Sequence, residues 1–112
     1  MPDTPEKKWE RQAAKALGGR RTGPRGFGLP DVADTPLAPE CKLQGRLALK
    51  GKDILQAKTN AARVGKPWVL LLKKRSKQGE IPERLAIIDY LMFIDWFNAL
   101  DEIGYFGGTD GE

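Results

Sequence analysis

The run Trp68-Val69-Leu70-Leu71-Leu72 constrains this chain most. Unbroken apolar residues at strand length leave no face for water, so a strand made from them needs cover on both sides. A chain of 112 residues can build one modest core. The cover therefore has to come from helices, and the chain supplies them. Residues 5–17 read as a helix, with Thr4 as N-cap, Pro5 at the first helical position and Gly18-Gly19 as the stop. Trp9, Ala13, Ala16 and Leu17 form its apolar stripe. Residues 49–64 read as a second helix, with Ile54, Ala57, Ala61 and Val64 facing inward and Gly65 and Pro67 ending it.

Between these helices lie two segments of strand character, Asp31–Asp34 and Ala38–Leu43. A turn at Thr35-Pro36 makes them a hairpin. After the apolar run comes a polar loop, then a strand over residues 84–89. Asp89 caps a last helix over 90–102, whose Leu91, Ile94, Trp96 and Phe97 are largely apolar. The expected fold is one α/β domain, a mixed β-sheet flanked by helices, with residues 1–4 and 107–112 as frayed ends. Trp68, Trp96 and Phe97 are expected in the core or in a dimer interface.

Composition removes whole classes of chemistry. The chain has no histidine and one cysteine, Cys41. An internal disulfide and a histidine-activated nucleophile are excluded, and a zinc centre has no ligand set. A bound metal must be a hard cation held by carboxylates. No apolar run approaches membrane-spanning length and no signal-like segment opens the chain, so a cytoplasmic protein is expected. Net charge is +4, unevenly placed. Residues 1–77 hold 18 Lys/Arg and 7 Asp/Glu, and residues 78–112 hold 1 and 8. A basic body of this kind suits a polyanion.

The chemistry concentrates in "GLPDVADTPLAPECK", residues 28–42. Strand alternation puts Glu40 and Lys42 on one face and Cys41 on the other. Across the expected hairpin stands Asp31. Two carboxylates there can hold Mg²⁺, with the Cys41 backbone carbonyl as a further oxygen and Lys42 beside an attacking water or a phosphate. The preceding "GGRRTGPRGFGLP" is a basic loop with a possible short edge strand near Phe27. Arg20, Arg21 and Arg25 on this loop, together with Lys50 and Lys52 near the second helix, suit phosphate contacts that carry no sequence information. Arg46, between them, belongs to the same basic set. No base-reading helix is evident.

Asp31, Glu40 and Lys42, followed by a helix and a buried strand, resemble the PD-(D/E)xK nuclease motif. The resemblance extends over most of residues 6–98. "WERQAAKALGG" is similar to the first helix of archaeal-type Holliday junction resolvases, which implies Glu10 as an additional active-site acid and Arg11 near DNA. "ILQAKTNAARVGKPWVLLLKKR" is similar to their second helix and following strand, which implies a site role for Gln56. "AIIDYLMFIDWFNAL" resembles the closing strand and helix of small bacteriophage-encoded members. The family implies a restriction-endonuclease-like core and an endonuclease dependent on Mg²⁺, with Mn²⁺ as a substitute and no nucleotide cofactor. It also implies a homodimer and four-way DNA junctions as substrate. Two alternatives use the same residues. One is a general phage nuclease for branched, flapped or nicked DNA, and the other a non-catalytic DNA-binding protein of this fold. A carboxylate-metal protein for small phosphates fits the arginine-rich loop less well.

Overall fold

A computed structural model describes residues 4–23 and 27–107. Its elements in chain order are α1 (Pro5–Leu17), β1 (Arg20–Arg21), β2 (Val32–Ala33), β3 (Ala38–Gln44), α2 (Gly51–Val64), β4 (Trp68–Lys74), β5 (Arg84–Ile87) and α3 (Tyr90–Glu102). The architecture is mixed α/β.

β4 is the apolar run, and it lies in the middle of a three-stranded sheet ordered β3-β4-β5. It pairs parallel with β3, setting Glu40 against Leu70 and Lys42 against Leu72, and antiparallel with β5. Leu70 and Leu72 are fully buried. α1 and α2 take opposite faces. Cys41, Leu43 and Leu71 pack with Trp9, Ala13 and Ala14 of α1. The alternate residues Glu40 and Lys42 are hydrogen-bonded to Asn60 and Gln56 of α2. The central strand is thus covered on both faces.

α1 is built as its sequence demands. The Thr4 side chain accepts a bond from the Lys7 N–H, Pro5 opens the helix, and Gly18 closes it at φ 71°. Its buried stripe differs from expectation: Ala14 is buried, whereas Ala16 is exposed. At about 100° per residue, this turns the buried face toward Glu10. The cause is the small sheet of β1 and β2, which packs on that side of α1. Gly19 permits the approach, since a Cβ there would collide with the Ala33 carbonyl oxygen.

The expected hairpin is corrected. β2 pairs antiparallel with β1, Arg20 opposite Ala33 and Arg21 opposite Val32. Its link to β3 is a backbone bond from the Asp31 N–H to the Pro39 carbonyl, 2.9 Å. Asp34 adopts φ 61°, a left-handed conformation that Asp tolerates, and this turns the chain out of β2. The edge strand falls at Arg20–Arg21 and not near Phe27, which lies in a turn.

α2 begins two residues later than expected. Gln44 bonds both the N–H and the C=O of Ala48 through its side chain, which holds the preceding segment as a turn, and Lys50 is still extended. Ala57 and Ala61 are buried as expected, but Val64 is exposed and Ile54 only half-buried. Asp53 and Asn60 are buried instead. Asp53 lies in the first turn of α2, where the helix dipole favours an acid. α3 is capped by Asp89, whose carboxylate accepts from the Leu91 and Met92 N–H groups. No residue of α3 is buried, and the helix makes no extensive contact with any other element. Trp96 and Phe97 are therefore not core residues. Among the described residues no helix is long and apolar enough to cross a membrane.

Candidate active site

At the edge of β3 away from β4, the chain forms a cavity of about 420 Å³. Asp31, Glu40, Glu10, Arg21, Gln56 and Asn60 contribute to its wall. Five separate segments supply these side chains: α1, β1, the β1–β2 loop, β3 and α2.

Glu40 is 4% exposed and its carboxylate accepts a 3.1 Å bond from Asn60 Nδ2. Asp31 Oδ2 accepts the Cys41 backbone N–H at 2.7 Å. Pro39 and Cys41 are alternate residues of β3, and both aim backbone groups at the Asp31 segment. In a regular strand the N–H and C=O of one residue project to the same edge, so the Cys41 carbonyl faces the Asp31 side as well. Lys42 is not part of the cavity wall, but its ammonium donates to Gln56 Oε1 at 2.8 Å and lies 4.0 Å from Glu40 Oε2.

Burial and mutual repulsion govern the acids. The Asp31 carboxyl is pushed from 3.8 to about 7, first by desolvation and then by the neighbouring Glu40 charge; the Cys41 N–H and Lys42 act against the rise. Glu40 is also raised, chiefly by desolvation, while the Asn60 bond and Lys42 hold it down. At neutral pH the two acids retain part of a proton between them. Burial also pushes the Cys41 thiol up, so it is inert packing under the site rather than a nucleophile.

The sequence-expected residues divide into three groups. Asp31, Glu40, Lys42, Gln56 and Glu10 come together, along with the Cys41 backbone. Glu10 is held by Arg21 in a 2.7 Å ion pair with both side chains largely covered. Arg21 is thus a wall of the site and not a free loop arginine. Arg20 is exposed but paired with Asp34 at 2.6 Å. Arg11, Arg46, Lys50 and Lys52 are exposed and away from the cavity wall. Arg25 lies outside the described residues. Asn60 and Arg63 are the site residues that pattern reading missed. Asn60 is four residues after Gln56, one helical turn on, and its polarity reads as surface until Glu40 is seen beneath it. Arg63 lines the cavity and donates to the Gly28 carbonyl at 2.9 Å.

Among the described residues, no group of three or more His, Cys, Asp and Glu side chains is arranged to hold a metal ion. Asp31 and Glu40 form a pair. Two hard carboxylates pressed together against burial, with a strand carbonyl on the same edge, fit an ion such as Mg²⁺, which keeps several of its waters. Soft or nitrogen-seeking ions find no ligand here. Comparison with family models, curated proteins and solved structures returns no match.

Proposed function

We propose that the protein is a Mg²⁺-dependent endodeoxyribonuclease acting on branched DNA, with four-way junctions as the intended substrate. The observation that carries this reading is the placement of Asp31 and Glu40 on one cavity with Lys42 beside Glu40, both carboxyls being raised by burial and repulsion. A structural salt bridge would spread such charges into solvent. Here they are pressed together, which is a cost that a bound cation relieves. The resemblance to PD-(D/E)xK nucleases points the same way.

Asp31, Glu40 and the Cys41 carbonyl would hold the ion, which supplies Lewis-acid polarisation of a phosphate oxygen and a more acidic water. Every other part belongs to side chains. Asn60 fixes the rotamer of Glu40 and favours its charged form. Gln56 fixes Lys42, whose ammonium orients the attacking water or contacts the phosphate. Arg21 neutralises Glu10, which removes one repulsive charge from an approaching phosphodiester. The exposed Arg46, Lys50 and Lys52 suit backbone phosphates. Such chemistry needs contact with intracellular DNA, in keeping with a cytoplasmic location.

Paired cuts in a junction need two sites, and one chain carries one. We propose a homodimer through α3 and the segment after it. Tyr90, Phe93, Trp96, Phe97, Tyr105 and Phe106 are between 39% and 72% exposed. At about 150–250 Å² per aromatic side chain, they alone leave roughly 600 Å² in water. Leu91 and Ile103 of the same segment are exposed as well. That approaches the ~800 Å² each partner contributes to a standard stable interface. Trp68 to Leu72 are not available for it, since the sheet consumes them.

The test is incubation of the full chain with a labelled four-way junction, a flap and a plain duplex, with and without Mg²⁺. The reading expects Mg²⁺-dependent cuts in branched DNA and little in duplex. Absence of cleavage in every form would overturn it.

A further inference from the structure

Phe27 is 97% exposed, the highest value among the exposed large hydrophobics described. The aromatic rings of α3 and its tail at least meet one another, Phe93 with Phe97 and Phe97 with Phe106. Among the described residues Phe27 has no such ring contact, yet it lines the same cavity as Asp31 and Glu40.

The turn that presents it is tied down. Arg63 of α2 donates to the Gly28 carbonyl at 2.9 Å. The Thr22 N–H donates to the Asp31 carbonyl at 2.9 Å, and the Thr22 hydroxyl to the Pro30 carbonyl at 2.5 Å. Gly28 has φ 79°, a left-handed conformation that favours glycine, and a Cβ on it would push the Arg63 guanidinium aside. The ring is therefore held out by a tethered turn. Folding gains nothing from leaving a phenyl group in water.

We propose that Phe27 is a stacking platform for an unpaired nucleobase of the DNA at this cavity. This rests on the nuclease reading and names the feature of the substrate that it selects. Arg63 in the adjacent wall gives the cationic group that a sugar-phosphate chain needs, while the ring gives the flat apolar face. Bases stacked inside a duplex have no free face for the ring. Bases at a branch point, in a flap or in a single strand do. The platform would place such a base within the reach of the cavity and bring the neighbouring phosphodiester to Asp31 and Glu40. Stacking is tolerant of base identity, so selection would be by structure rather than by sequence.

The experiment measures DNA binding in EDTA, so that the outcome does not depend on cleavage. Probes are a single strand, a four-way junction and a fully paired duplex of equal length. Phe27→Ala is expected to weaken single-strand and junction binding about tenfold and to change duplex binding by no more than about twofold. Phe27→Leu, which keeps an apolar side chain without a ring, should behave as Phe27→Ala does. Phe27→Trp should restore binding, and its added indole emission should be quenched by the single strand but not by the duplex. Equal binding by wild type and Phe27→Ala would overturn the stacking role and leave the nuclease reading intact. So would an equal loss on all three probes, or a change of solution mass in Phe27→Ala, which would make the ring a protein contact. Failure of the wild type to bind any of the DNA forms would remove both readings together.

Discussion

At the edge of β3 the chain buries acids: Glu40 is 4% exposed, and Asp31 beside it is raised to about 7. Along α3 it does the reverse, leaving Leu91 69% and Phe93 52% exposed. Each region is unfavourable for a lone chain in water, for opposite reasons. Buried like charges lose solvation and repel, whereas exposed rings forgo burial. The central strand and the helix starts follow ordinary rules, with Leu70 and Leu72 buried and Thr4 and Asp89 capping their helices. Both departures lie where a binding event would relieve them. In the proposed function a divalent ion would relieve the first and a second copy the second.

The comparison can be broken at several points. The largest effect is expected at Lys42. Lys42→Ala should lower single-turnover cleavage by at least about a hundredfold, the scale of a positioned acid-base group. A rate within threefold of wild type, by the same scale, would make Lys42 a surface ammonium that happens to meet Gln56.

Asn60→Ala should have the next largest effect, about tenfold at neutral pH, the loss of roughly one hydrogen bond to a charged group. Its signature is in the pH profile. The Asn60 bond holds the Glu40 carboxyl down, so its removal should shift the rising limb of cleavage to higher pH and restore much of the rate at alkaline pH. A uniform loss at every pH would mean that Asn60 is only packing.

The α3 surface is sharpened by Phe93→Glu with Trp96→Glu. Light scattering at micromolar concentration should give about twice the 12.4 kDa chain mass for wild type and a single chain mass for the variant. DNA binding by Arg46, Lys50 and Lys52 should survive in part. A wild type that is monomeric, alone and on junction DNA, would refute the paired-site arrangement.

Stability should show the smallest effect. Below pH 3.8 Asp31 is protonated whether folded or unfolded. Between 3.8 and about 7 the unfolded chain releases the proton while the folded chain keeps it, so stability falls as pH rises, and above 7 the loss is complete. Asp31→Asn removes that dependence. In thermal melts without divalent ions, the variant should gain about 5 °C over wild type at pH 8 and little at pH 4. Mg²⁺ should raise the wild-type midpoint at pH 8 and leave the variant unmoved. No difference at either pH would mean that the acids are not under strain.

Much of this architecture is legible in the sequence. Glu40 and Lys42 share a face because a strand alternates, and Cys41 between them falls to α1 by the same rule. Pro5, Gly18 and Gly65 mark helix ends by backbone chemistry alone. The pairing of β1 with β2 is not legible, since two-residue strands carry no periodic signal. Asn60 and Asp53 are missed for a different reason. Polar residues on a helix read as solvated, and their burial becomes visible only with what lies beneath. α3 falls between these cases. Its apolar character is plain in the sequence, but pattern cannot distinguish a core face from an unpartnered one.

The central claim is that Asp31 and Glu40 together make a cation-dependent cutting site. It is met most directly by cleavage of a labelled four-way junction in Mg²⁺ by wild type, Asp31→Asn and Glu40→Gln, each at saturating protein with binding measured in parallel. The account predicts cuts by wild type alone, with both variants binding the junction as tightly or more tightly because a charge that repels phosphate has gone. Cleavage by either variant at the wild-type rate would contradict it.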